Sequence, residues 1–176
     1  MNQIVKSNGI KFGLIMGILA VILTAAIYTI DISLFTSWWL GLTLMFVYLI
    51  IFIVALVSTK KQLNGVMTFK EAFTTYFLVA LVGVTISTLF NYVLFNLVDP
   101  GAKETLADLT AKATSEMMAK FGAPQSEIDK ALEGMEEVDN YSPANLAKGW
   151  IISILISAVF GLLFALIFRS KPAYKE

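Results

Sequence analysis

Cysteine and histidine are both absent from these 176 residues. Without cysteine there is no disulfide, no acylated lipoprotein cysteine and no thiolate metal site. Without histidine the usual general base near neutral pH is missing, and so is the commonest metal ligand. An enzyme built on this chain would have to work with Asp, Glu, Lys, Tyr or Ser. No nucleotide-binding loop, nucleophile elbow, HExxH motif or paired-carboxylate motif offers such chemistry a frame. Excess charge of either sign is missing too: 13 basic residues balance 13 acidic ones. That argues against nucleic acid as a partner, because duplex binding needs a basic surface.

Charge is also missing locally, and this absence is the informative one. The chain is 57% hydrophobic with a mean hydropathy of +0.76. The apolar residues fall in four runs without a single charged side chain: Phe12–Ile30, Trp38–Val57, Ala72–Val98 and Gly149–Phe168. A helix needs about 20 apolar residues to cross a hydrocarbon core about 30 Å thick. Unpaired backbone is too costly in lipid for any open alternative, so all four should be helical. The fold expected is an all-α integral membrane four-helix bundle, one membrane domain over residues 1–176, with a short helical extracytoplasmic insert, 99–148, between the third and fourth helices. The first run follows Lys6 and Lys11 and contains Thr24-Ala25-Ala26, features shared with signal peptides. It is longer than a signal h-region of about 7–15 residues, and it is expected to stay as a span.

Basic residues mark the cytoplasmic side. Lys6, Lys11, Lys60, Lys61, Lys70, Arg169, Lys171 and Lys175 share one side with only Glu71 and Glu176. The other side carries Asp31 and the insert, which holds five lysines and ten acids. Both termini therefore read as cytoplasmic and the insert as periplasmic. Trp38, Trp39 and Trp150 fall at the outer ends of their runs, where amphipathic rings prefer the interface.

Helices in lipid associate through close backbone approach and interhelical hydrogen bonds, which small residues permit. The first helix has Gly9, Gly13 and Gly17. The third has Ala80, Gly83 and Ser87, and the fourth has Gly149, Ser153, Ser157, Gly161 and Ala165. The second has no such stripe. Either helices one, three and four pack tightly while helix two faces lipid or a partner, or one stripe serves a homodimer or docks a partner's helix. Thr85, Ser87, Thr88 and Asn91 cluster in helix three, with Asn96 near its outer end. Thr88 and Asn91 are the candidate intramembrane polar residues. They line a polar path or a head-group site, or they hydrogen-bond to Ser153 and Ser157 or to the helix backbone. An intramembrane charge or a helix broken at mid-depth would mark a transporter more strongly, and neither is present.

In the insert, Asp99-Pro100-Gly101 breaks the third helix. Leu106, Leu109, Ala113, Met117 and Phe121 then repeat on one helical face until Gly122 and Pro124 stop it. Ser126 with Asp129 predicts a capping box opening a short helix with Ile128, Leu132 and Met135 on one side. Ser142 with Pro143 predicts that the fourth helix begins outside the membrane. Two short amphipathic helices cannot bury a core alone, so they need the membrane surface, the bundle or another protein. The acids Glu133, Glu136, Glu137 and Asp139 read as a solvated face or a cation site; the spacing and glycine of a calcium loop are lacking.

The third helix opens at Gly65-Val66-Met67-Thr68-Phe69-Lys70-Glu71-Ala72-Phe73, where Thr68 and Glu71 form a capping box. Phe69 and Phe73 would anchor it at the interface or offer a docking epitope. This segment, Asp99-Pro100 at the helix end, the helical insert and the closing fourth helix together resemble a bacterial family of small membrane proteins known as domain of unknown function 4199. The resemblance covers nearly the whole chain. It implies the inner membrane of a Gram-negative bacterium and a loose association with genes for polyprenyl-phosphate glycosyltransferases. It brings no catalytic residues and no cofactor. The expectation is a non-enzymatic accessory or scaffold subunit acting through helix packing and partner binding. Handling of a small solute or lipid-linked substrate is the alternative, and an enzyme acting on a lipid-linked substrate ranks below both.

Overall fold

The computed structural model describes residues 2–136 and 138–170, all in helices and the turns between them. Four long helices form the bundle: α1 (Gln3–Ile30), α2 (Trp38–Gln62), α3 (Phe69–Val93) and α6 (Pro143–Phe168). All four are long and apolar enough to cross a membrane, α3 together with the π-helical turn Leu94–Val98 that prolongs it. Two shorter helices, α4 (Ala102–Lys120) and α5 (Gln125–Glu136), form the insert.

The ends of these helices follow from local chemistry. Asn2 caps α1 by accepting from the Ile4 N–H at 3.0 Å. Asp31 ends α1 and starts a 3-10 turn, Ile32–Thr36, by accepting from the Ser33 N–H. Asn64 and Gly65 take positive φ, 56° and 81°, and reverse the chain between α2 and α3. The Thr68–Glu71 capping box closes in both directions: Thr68 Oγ1 accepts from the Glu71 N–H at 3.2 Å, and Glu71 Oε2 accepts from the Thr68 N–H at 2.9 Å. Ser142 caps α6 with Pro143 at its first position. Gly122, at φ 75°, ends α4.

All four long helices run beyond their charge-free runs, α3 by the three residues Phe69–Glu71 that its capping box predicts. α1 begins at Gln3 and not near Phe12, α2 continues through Lys60 and Lys61 to Gln62, and α6 begins at Pro143. The absence of charge delimits what lies in hydrocarbon, whereas hydrogen bonding sets helix length, and polar helix ends project into water. The Ser126–Asp129 capping box does not form. The Glu127 and Ile128 N–H groups bond to the Pro124 carbonyl, so α5 starts two residues early and Ser126 lies within its first turn.

α3 is the central element. α1 packs along its whole length on one side, α6 along another, and α2 touches both α1 and α3. At the end where α1 begins and α6 stops, the rings of Phe52, Tyr76 and Phe164 stack across α2, α3 and α6 over the buried Leu56, Met67, Ala72 and Ala165. A clasp closes that end. Ser170 donates its N–H to the Met67 carbonyl and accepts the Met67 N–H on Oγ, and Lys60 donates to the Phe168 carbonyl. At the insert end, fully buried Phe95 is the hub, with Tyr28, Phe35 and Tyr141 around it and Leu94, Ala102 and Leu106 beside it. Through that cluster the bundle covers the apolar face of α4 where α4 begins.

Candidate functional site

The glycines of α1 each receive one side chain of α3. A Cβ at Gly9, Gly13 or Gly17 would stand 2.6, 2.7 and 2.7 Å from the Cβ atoms of Leu78, Val82 and Ile86. Those three side chains are themselves four residues apart, a ridge of α3 seated in a groove of α1. The reciprocal contact sets Met16 of α1 over Gly83 of α3. Gly161 of α6 lies against Tyr76 and Phe73, where a Cβ would stand 3.0 Å from a ring atom of Tyr76, and Ala165 is fully buried one turn on. This seam occupies the small faces of α1 and the Gly161 end of α6. Gly149 is different: it is exposed, and a Cβ there would meet nothing within 4 Å. It lies on the side of α6 next to Trp150, the residue that turns toward α3, so it takes no part in packing within the chain.

Ser87, Thr88 and Asn91 on α3 and Ser153 and Ser157 on α6 are half-buried. Among the described residues no hydrogen bond joins the two groups. The polar link between α3 and α6 is made by Thr85, whose Oγ1 accepts from the Trp150 indole N–H at 3.0 Å and donates to the Leu81 carbonyl at 2.6 Å. A long aromatic donor reaches across where short serine hydroxyls do not. Asn91 thus stands in an apolar helix with no hydrogen-bond partner for its side-chain amide among the described residues.

A second polar layer lies near the start of α1, where α1, α2 and α3 meet. Asn8, Thr59 and Thr75 are buried there. The two threonines donate to the carbonyls of Ala55 and Glu71, each one turn earlier. Asn8 Oδ1 accepts from Gln62 at 3.4 Å, but its Nδ2 has no partner among the described residues. Asn8 precedes Gly9 on the packing face. It escapes a search for charge-free runs because Lys11 separates it from the first one.

At the insert end the polar groups are paired. Tyr28 donates to Asp99 Oδ2 at 2.6 Å, and Asp99 Oδ1 accepts from the Ala102 N–H. Lys103 bridges Asp139 at 2.9 Å and Asn96 at 3.4 Å, and Asn96 donates to the Tyr141 carbonyl at 2.8 Å. The lysine beside it holds the Asp139 carboxyl below its usual range, and burial pushes the Tyr141 phenol up. This network ties both ends of the insert to α3. Among the described residues no three of Asp and Glu come close enough to share a metal ion. Of the acidic run expected as a solvated face or cation site, Glu137 and the side chain of Glu136 lie outside the described residues.

Two cavities flank α4. One of about 300 Å³ lies between α4 and the segment 135–141, lined by Lys103, Leu106, Thr110, Met135, Asp139 and Tyr141 among others. The other, about 680 Å³, lies between the far half of α4 and the start of α2, with Phe35, Trp38, Ala113, Met117 and Phe121 in its walls.

No curated protein and no solved structure matches this chain. A family model does match, over residues 11–170, which takes in Gly13, Gly17 and Gly161 of the glycine seam, the capped start of α3, the insert and α6. The chain belongs to the family described as "Protein of unknown function (DUF4199)".

Proposed function

We propose that this protein is a non-catalytic accessory or scaffold subunit of a bacterial inner membrane, with both termini cytoplasmic and the insert periplasmic, that acts by binding another membrane protein. The observation that carries this reading is the one-sided attachment of α6. It packs along α3, yet Ile152, Leu155, Ile156, Val159 and Leu163 are more than half exposed or close to it, and Gly149 lies open beside them. A helix held on one side, with a small residue open to close approach, suits a second helix better than lipid alone. The glycines of α1 are already filled by α3, so the partner surface belongs to α6. Charge-free spans and a chain without histidine or cysteine give catalysis no comparable support.

Crosslinking in native membranes, affinity purification and mass spectrometry test this reading. A reproducible membrane-protein partner, lost when Gly149→Ile and Ile156→Trp block the face, is expected. A clean monomer with no crosslinked protein would overturn it.

A second reading, handling of a small solute or lipid along α3, is favoured by Asn91. An amide in an apolar span needs a partner, and Ser87, Thr88 and Asn91 find none on α6. On that reading Asn91→Leu removes an activity while the folded protein stays in the membrane. If Asn91→Leu unfolds the bundle instead, the residue is structural.

A further inference from the structure

We infer that the cavity between α4 and the start of α2 is a binding site for one zwitterionic glycerophospholipid from the membrane leaflet on the insert's side. This inference is independent of the partner surface on α6.

The site follows from how α4 is held. Its first turns are fixed by Phe95 and by the polar network around Asp99 and Lys103, and it also packs against the 3-10 turn Ile32–Thr36. Its apolar stripe continues through Ala113 and Met117 to Phe121, but the bundle beneath it does not. Met117 is 55% exposed and Phe121 86% exposed, although the same stripe is 2% exposed at Leu106. The uncovered half of the stripe overhangs Phe35, Thr36 and Trp38, leaving an open-sided cavity of about 680 Å³, within the range of small-molecule sites.

Depth in the membrane identifies the occupant. Trp38 is the first residue of α2, so the cavity opens at the boundary between head groups and hydrocarbon, where tryptophan is favoured. It is continuous with the outward face of α2, on which Trp39, Leu42, Met45 and Phe46 are exposed. Lipid already surrounds that face. An acyl chain entering along α2 would meet Trp38, Met117 and Phe121 without crossing water.

Charge selects the head group. Glu116 and Lys120 stand at the mouth, one turn apart on α4. That spacing commonly forms an ion pair, yet the ion pair among the described residues is Lys103–Asp139. Glu116 and Lys120 are both exposed, one ready for an ammonium and the other for a phosphate. A lipid bearing both groups satisfies both side chains, whereas an anionic lipid would leave the carboxylate facing its negative charge.

Native mass spectrometry of the full-length detergent-extracted protein, titrated with phosphatidylethanolamine or phosphatidylglycerol of identical acyl chains, tests the site. One saturable phosphatidylethanolamine adduct is expected, with Lys120→Glu weakening it about tenfold, the scale of one charge-assisted hydrogen bond. Ala113→Trp, which fills the cavity, should abolish it. If Ala113→Trp fails to fold, Lys120→Glu at the exposed tip of α4 still decides. Equal, unsaturable binding of both lipids, indifferent to Lys120→Glu, would overturn the inference. A photocrosslinking amino acid at position 121 separates the possible occupants by mass. A phospholipid adduct supports the inference, and a crosslink to a second copy or to another protein refutes it.

Discussion

Gly13 and Gly149 are the same residue on membrane helices, and their surroundings give opposite forecasts. At Gly13 a side chain would start 2.7 Å from Val82 Cβ and 3.1 Å from the Val79 carbonyl oxygen, so backbone and a branched side chain would both have to move. Overpacking of that kind costs about 1–3 kcal/mol. Gly13→Leu should lower resistance to denaturation in mild detergent by that amount, while Gly149→Ala should change it by less than about 0.5 kcal/mol. A reversible unfolding titration of both variants checks the pair. Asn8 gives a forecast of the other sign. Its buried Nδ2 has no acceptor, and an orphaned buried donor costs about 1–3 kcal/mol. Asn8→Leu keeps the branched shape and removes that donor, at the loss of one long bond from Gln62 at 3.4 Å. The variant should be more stable by about 1 kcal/mol. A marked loss would show that the amide is satisfied in the membrane, for instance by water.

At the scale of elements, legibility in the sequence tracks how local the cause is. The start of α3 is legible because Thr68 and Glu71 satisfy each other within four residues, and the start of α6 because Ser142 and Pro143 act on the turn they begin. The four spans are legible because charge is excluded from hydrocarbon whatever the neighbours. What needs a partner helix is not legible. Nothing in the spacing of Thr85, Ser87, Thr88 and Asn91 says that the indole of Trp150 reaches the first of them. Nothing in the run Gly149–Ala165 says that its last third packs while its first residue stays open. Phe95 looks like any apolar residue at the end of a span, yet it carries the docking of α4.

That docking is electrostatic as well as apolar, and it predicts a pH dependence. Lys103 lowers the pKa of Asp139 below its ordinary value of 3.8. A carboxyl depressed on folding contributes stability that is present above its unfolded value and lost as pH falls through its folded one. The latch is half-exposed, with the Asp139 side chain at 44%, so its contribution is modest. Hydrogen exchange of α4 and α5, corrected for intrinsic rates, should be flat from pH 7 to about pH 5 and quicken below about pH 4. Asp139→Asn should show the faster exchange at every pH. An insert whose exchange is indifferent to both changes is held by Phe95 and Leu106 alone.

Across the whole molecule, charge and aromatic rings are both divided between two ends. The end where α1 begins and α6 stops holds Lys6, Lys11, Lys60, Lys61, Lys70 and Arg169; the opposite end holds the acidic insert with Trp38, Trp39 and Trp150. The fold gathers these groups at two ends about one long helix apart, since α3 with its π-helical turn spans 30 residues, roughly 45 Å at 1.5 Å per residue. Because the chain has no cysteine, any introduced thiol is the sole target for a maleimide. Ser7 and Ser126 are exposed at opposite ends, on α1 and α5. In right-side-out vesicles a membrane-impermeant maleimide should label Ser126→Cys at once and Ser7→Cys only after the membrane is opened. Labelling of Ser7→Cys alone would invert the topology. The basic end would then face outward, against the bias that orients such proteins, and both the partner on α6 and the lipid beside α4 would have to be sought from the other side.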